Sequence, residues 1–295
     1  MIEQTSQLVG NSIIAGSVYA LVGMSFVLGY RVSRFFNLAH AAVFTVGAYT
    51  GFTLVRTARI PLPFAAVGAG VVGALLGCAL EVAIYRPLRH RGSSALGLLV
   101  ASLGLYVLVQ NTVSLLFGDE VRSILVTGPA PGLRILGARI TPVQLVTVAV
   151  AVMVLLITMG VLKWTWFGRA FRTVACDAEL AQVCGTDAEA VLLRWSAVAS
   201  AITAAAGFLL GLDVDLVPTM GLQPLMAGIV AMIVGGVASV PGTAVGGLIV
   251  GGAQQFGAWK IGYQWQDAIA FGILLIFMLL RPHGVLGQKS SMAEV

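Results

Sequence analysis

The stretch from Arg31 to Phe52, RVSRFFNLAHAAVFTVGAYTGF, opens with two arginines, closes as an apolar helix and carries Asn37 and His40 between. Three residues apart, the two polar side chains share one helix face. Two readings are open. In one, Asn37 caps a helix beginning at Leu38, Asn being a preferred N-cap residue, and His40 bonds to a neighbouring helix. In the other, both line a path through the protein. The readings are compatible, because the cap of a helix broken inside a membrane can face a cavity. Further polar groups sit at the ends of later apolar segments: Gln223 and Pro224 enter one, and Gln254 and Gln255 end the next. Catalysis has less to build on. Ser, His and Asp are scattered, with no nucleophile–base spacing. His90 and His283 are distant from His40 and lie in basic turns, so no metal set is expected. No G-x-x-x-x-G-K-[ST] loop is present, so no ATP or other cofactor is expected on this chain.

The elements that must position these residues follow from composition. The 295 residues are 58% hydrophobic and 10% charged, with a mean hydropathy of +0.96. Soluble domains carry about 25% charged residues. A bilayer core about 30 Å thick requires about 20 apolar residues per helix. The chain therefore reads as a single all-α polytopic membrane domain over residues 1–295. Spans are expected near 8–30, 36–55, 62–84, 93–117, 141–162, 191–212, 221–238, 242–258 and 265–280, about eight or nine membrane segments. The seventh and eighth are short, Gly-rich and joined by a turn at Ser239-Val240-Pro241-Gly242, as in segments that line a cavity. The N-terminus lacks a positive n-region and its first apolar stretch is too long for a signal peptide, so it is read as a retained first span.

Lys and Arg set the orientation. Arg31, Arg34, Arg86, Arg89, Arg91, Lys163, Arg169, Arg172, Arg194, Arg281 and Lys289 fall in one set of connections, against Arg56, Arg59, Arg122, Arg134, Arg139 and Lys260 in the other. The first set is read as cytoplasmic, with the N-terminus out and the C-terminus in. The 118–140 loop is then external, its runs RSILV and LRILGARI suggesting a small hairpin cap. The net charge of +5 is no nucleic-acid footprint, since no basic run is interleaved with aromatics. Cys78, Cys176 and Cys184 are expected to be unpaired. The spans hold almost no ionisable group, which argues against an ion-coupled carrier. Glu81 lies within reach of Arg86 or Arg89, and Asp267 begins the last span.

The connection 163–190 mixes both charge signs. Its apolar residues recur every three or four positions from Gly168 to Val183, which predicts one amphipathic helix stopped by Gly185. It is read either as a helix lying on the membrane surface or as a docking element for a cytoplasmic partner. Gly73-x-x-x-Gly77, Gly207-x-x-x-Gly211, Gly242-x-x-x-Gly246 and Gly247-x-x-x-Gly251 permit close helix approach, within this bundle or at a subunit interface. Ala39 precedes Gly47 by eight residues, as Ala227 precedes Gly235, in segments five apart. An inverted-topology repeat with its tenth span absent would produce that spacing.

Five motifs in order carry a resemblance. NLAHAAVFTVGAY (37–49) resembles the N-x-A-H-x(6)-G-A-Y signature of branched-chain amino-acid ABC importer permeases, and YRPLR (85–89) the arginine-rich turn of their H-type subunit. FGRAFRTVACDAELAQVCGTDAEAV, GGVASVPGTAVGGLIVG and LLIFMLLRPHGVLG resemble the family's inner loop, its GG-x-G-S-x-P-G-A-x-x-G-G and its closing RP-x-G-L-x-G. Ala41, Ala42 and Ala238 depart from the family pattern. The resemblance implies the bundle of a type II ABC importer in a bacterial inner membrane. It also implies a second related permease, two ATPase subunits that hold the ATP and Mg, and an extracytoplasmic substrate-binding protein. Asn37, His40, Gln223 and Pro224 would line the translocation pathway. Arg169, Arg172, Asp177, Glu179 and Gly185 would form the ATPase-coupling loop. Gly47, Gly235, Gly236, Gly246 and Gly247 would serve helix packing or an interface. Cargo would be branched-chain or related amino acids, with urea and short amides as rivals and a stand-alone small-solute channel as the alternative from another class.

Overall fold

The computed structural model describes residues 2–124, 132–135, 137–237, 239–281 and 283–287. Much of the outer loop (125–131 and 136), Ala238, Pro282 and Lys289 lie outside them. Each of the nine expected segments holds a helix: α1 (Ile2–Ser33), α2 (His40–Arg56), α3 (Leu62–Leu80), α5 (Ala95–Phe117), α6 (Pro142–Trp164), α9 (Ala188–Asp213), α10 (Leu222–Gly235), α11 (Val240–Ile261) and α12 (Gln266–Leu280). Three short helices, α4 (Arg86–His90), α7 (Trp166–Cys176) and α8 (Ala178–Val183), occupy the basic connections, and one π-helical turn, Glu81–Tyr85, joins α3 to α4. Among the described residues, six helices are long and apolar enough to cross a membrane, or seven if α10 and α11 count as one broken span. That is fewer than the eight or nine expected. Residues His40–Arg56 are only 17 long and α10 only 14, and a 14-residue helix covers about 21 Å.

Local chemistry sets the boundaries. Thr141 and Gln144 form a reciprocal capping box at the start of α6 (3.3 and 3.0 Å), with Pro142 at the first helical position. Gly236, at φ +116°, ends α10. The turn between α10 and α11 therefore lies three residues earlier than the sequence suggested. Ser239 accepts the Gly242 N–H (3.0 Å) and caps α11, so Val240, Pro241 and Gly242 are already its first turn. The two axes bend by 118° there. The expected hairpin is present: β1 (Leu133–Ile135) pairs antiparallel with β2 (Ala138–Ile140), Leu133 opposite Ile140. Gln7 fastens it to α1, donating to the Arg139 carbonyl (3.1 Å) and accepting the Arg139 N–H (2.7 Å).

Glycine stripes build the centre. Gly73 and Gly77 of α3 lie on Ser196, Ser200 and Ala204 of α9. Gly247 and Gly251 of α11 lie in the same way on Ser12, Gly16 and Ala20 of α1. Likewise α2 packs into α9, Gly47 on Ala204 and Gly207 on Phe44, while α10 packs into α1 with Gly23 facing Gly228. Small residues let these backbones approach closely. A Cβ on Gly247 would stand 2.7 Å from both the Ala20 nitrogen and the Gly16 carbonyl oxygen. The packing glycines Gly47, Gly235, Gly246 and Gly247 are thus all spent inside the bundle, and Gly236 lies against Gly284 and Gly287 of the C-terminal segment. Burial follows the same plan: the most apolar windows of α1 and α9 are 67% and 56% buried, those of α6 and α12 17% and 6%. The outer helices turn Leu75, Leu108, Leu156 and Leu279 outward, as a lipid-facing rim does.

Candidate functional site

At the basic end, Arg34 adopts a left-handed conformation (φ 58°) and lets the chain turn from α1 toward α2. Its guanidinium donates to the carbonyl of Ala175 at the end of α7. Asn37 does not serve as the N-cap: α2 begins at His40, and its cap residue Ala39 is helical with no side-chain bond. Instead Asn37 Oδ1 accepts the Ala39 N–H (3.1 Å) and the Tyr85 hydroxyl (2.8 Å). The Leu38 N–H goes to Ser102 Oγ of α5 (3.0 Å). The N–H groups of Leu38 and Ala39 ahead of α2 are therefore met by side chains, Ser102 of α5 and Asn37, and Tyr85 holds the Asn37 amide in place.

His40 is 3% exposed. The hydrogen bond to a neighbouring helix expected for it is absent: neither ring nitrogen has a partner among the described residues. The ring stands edge-on to Phe26 at 6.0 Å and beside Gly29, where an added Cβ would lie 3.9 Å from Nε2, an ordinary contact. Asn37, His40, Glu81, Trp195 and Ser196 line a cavity of about 20 Å³. Glu81 is paired there with Arg89. Trp195 of α9 is the largest fully buried side chain and its indole N–H also lacks a partner.

Gln223 and Pro224 lie elsewhere. They line a cavity of about 520 Å³ at the opposite end, with Asn11, Tyr19, Gln144, Asp213, Asp215, Gln255 and Gln266 around them. This is the size of small-molecule pockets, and polar and apolar side chains share its lining about equally. Gln144 donates to both carboxylate oxygens of Asp213 (3.2 Å each), and Gln223 to Asp267 (3.4 Å). Gln255 joins the lining, while Gln254 turns inward and donates to the Gln266 carbonyl (3.1 Å). The four residues expected on one pathway thus divide between two spaces. Between them the chain is packed with buried Leu21, Val22, Met24, Ala206 and Leu225, stitched by Ser25 Oγ and Thr203 Oγ1 at 2.7 Å.

The 163–190 connection is not one helix. It breaks at Asp177, whose backbone is extended and whose Oδ1 accepts the N–H groups of Glu179 (2.9 Å) and Leu180 (3.0 Å), starting α8. Nor does α7 lie free on a surface. Its apolar face is buried: Phe167 and Phe171 hold Trp195 between them (4.6 and 4.4 Å between ring centres), and Arg31 sits over Phe171 at 5.4 Å. By contrast α8 projects, with Glu179, Leu180 and Val183 exposed, and Gly185 (φ +80°) ends it in open space. Arg169 is exposed, and Arg172, also exposed, donates to the Leu162 carbonyl. Glu189, at the start of α9, joins Arg86 and His90 (2.7 Å to His90), tying the arginine-rich turn to the elbow formed by α7 and α8. Trp195, Asn11 and Gln144 were not singled out from the sequence; Asp213 with Asp215 was expected only to face outward, and Tyr85 only as part of the arginine-rich turn. A polar side chain inside an apolar stretch was the signal for Asn11 and Gln144; Trp195 gave none.

A family model described as the branched-chain amino acid transport system permease component matches residues 8–279. The chain is 29% identical to the high-affinity branched-chain amino acid transport system permease protein LivH of Salmonella typhimurium, the match covering 94% of both. It is equally similar to BraD of Pseudomonas aeruginosa, which bears the same description, over 94% of both. To the probable LivH of Methanocaldococcus jannaschii it is 25% identical, over 94% of this chain and 90% of that one. Among solved structures, PsaBC from Streptococcus pneumoniae in complex with Fab shares the fold, with a TM-score of 0.52 at 14% identity over 94% of this chain and 92% of that one.

Proposed function

The chain belongs to the family of branched-chain amino acid transport permease components, and from that premise we propose that it is the H-type permease subunit of an ABC importer for branched-chain or related amino acids. Its partners are a second, related permease, two ATPase subunits that bind ATP and Mg, and an extracytoplasmic binding protein. The family match over 8–279 carries this reading. The basic end faces the cytoplasm of a bacterial inner membrane, N-terminus out and C-terminus in, as the Lys and Arg distribution favours. Nine helices form membrane segments, the 14-residue α10 reaching only part of the way across before the chain turns into α11. The paired packing of α3 on α9 and α11 on α1, and of α2 on α9 and α10 on α1, supports two inverted halves lacking a tenth span.

Cargo released by the binding protein meets the 520 Å³ vestibule with Gln223 and Pro224. Asp213 and Asp215 there favour an ammonium-bearing cargo over neutral urea. The packed layer at Ser25 and Thr203 bars the way to Asn37 and His40 until the ATPases act. Their contact is α8, whose exposed Leu180 and Val183 suit a groove on a soluble partner, and α7 relays its movement to Trp195. The test is extraction of the tagged full chain in mild detergent and the mass of what emerges. A second permease with two ATPase copies is expected. The chain alone, or a homo-oligomer without ATPase under several extraction conditions, sinks the importer reading and favours a stand-alone channel.

A further inference from the structure

The void at the basic end poses a chemical problem that the packing does not solve. His40 and Trp195 are 3% and 1% exposed, line the same space, and have three ring nitrogens without partners among the described residues. Buried polar groups are nearly always satisfied, by protein or by ordered water. A dry cavity is an apolar one. This lining is mixed: beside Leu28 and Val32 stand Asn37, Ser196 and the Glu81 carboxylate. Its volume of about 20 Å³ exceeds the 10–15 Å³ or so that one water requires.

We propose that this void is a built water site, in which one water is shared by His40 and Trp195. The indole N–H donates to the water oxygen. The water donates one hydrogen to the unprotonated imidazole nitrogen, and its second to an acceptor on Asn37, Ser196 or Glu81, giving the two to four polar partners that a buried water takes. Geometry ties the site to the elbow. Because Phe167 and Phe171 grip Trp195, the position of α7 fixes one wall, and Phe26, edge-on to the imidazole, borders the other. The site rests on these contacts and not on the transport reading.

A map of the full chain in lipid nanodiscs that resolves other buried waters decides the matter. Density within hydrogen-bonding distance of both Trp195 Nε1 and a His40 nitrogen is expected, and an empty void overturns the proposal. Where no buried water is resolved, a double-mutant cycle on thermal midpoints decides. Trp195→Phe removes the N–H and keeps a ring between Phe167 and Phe171; His40→Leu removes both nitrogens, with His40→Asn as the replacement if that variant does not fold. Sharing one water, the double variant should lose clearly less than the sum of the singles. Strict additivity would refute a shared water.

Discussion

The cap at Asp177 offers the sharpest test of the elbow. Helix α8 has six residues, too few to sustain itself without a nucleus. Its start is held by the Asp177 carboxylate, which accepts the N–H groups of Glu179 and Leu180 at 2.9 and 3.0 Å. Asp177→Ala removes that cap, worth about 1 kcal/mol, and a negative charge at the helix start, worth about 0.5 kcal/mol on so short and exposed a helix. The sum of about 1.5 kcal/mol lowers the ratio of formed to unformed α8 roughly tenfold. In proteoliposomes holding the whole importer at limiting ATPase, ATP-driven uptake should fall, by up to about that factor for a helix that is only marginally formed. The thermal midpoint should stay within about 1 °C, because α8 buries only Ala181. Asp177→Asn is the control, since Asn caps about as well as Asp; its uptake should remain within about twofold of wild type. Unchanged uptake in Asp177→Ala refutes the coupling role. An Asn variant as weak as the Ala variant shows that the charge, and not the cap, is what the partner reads.

Other outcomes follow from the same contacts. Gly73→Ala and Gly247→Ala each press a Cβ onto backbone, at 2.8 Å from the Ser200 carbonyl oxygen and 2.7 Å from that of Gly16. Each should cost about 1–3 kcal/mol, and penalties agreeing within about 1 kcal/mol are what two inverted halves require; thermal shift in detergent measures both. Gly104→Ala meets nothing within 4 Å and should leave stability unchanged or raise it by up to about 1 kcal/mol in the same assay. Glu189→Gln breaks the contacts to Arg86 and His90, but with side chains 34%, 50% and 61% exposed the loss should stay under about 1 kcal/mol and shrink further at high salt. Asp213→Asn combined with Asp215→Asn should lower uptake of an ammonium-bearing cargo by up to about tenfold at low salt and less at high salt; salt-independent uptake equal to wild type would remove the vestibule carboxylates from cargo attraction.

Much of this molecule is legible along the chain because its causes are local. Long apolar runs cannot stay in water, so the nine helical segments follow from composition. Alternating β-formers around Gly137 give the hairpin, and glycines four apart give stripes that must meet another backbone. Glu81 found Arg89 because eight residues on one helical run keep them together. The family too is written in order along the sequence, in five motifs and over residues 8–279. Where neighbours in space are distant in sequence, the reading stopped. Asn37 looked like a cap because its partner Tyr85 lies 48 residues on. His40 was given a hydrogen bond because nothing in the sequence shows that its neighbours are Phe26 and Gly29. A single amphipathic helix was drawn through Asp177, since periodicity ignores a side chain that prefers to cap the turn behind it. The vestibule gathers Asn11, Gln144, Asp213, Gln223 and Gln255 from five helices, and only the crossing of α1 with α11, and of α3 with α9, decides which of them meet. Local propensity fixes which segments become helices; the approach distances that glycine allows between them fix which polar groups share a space.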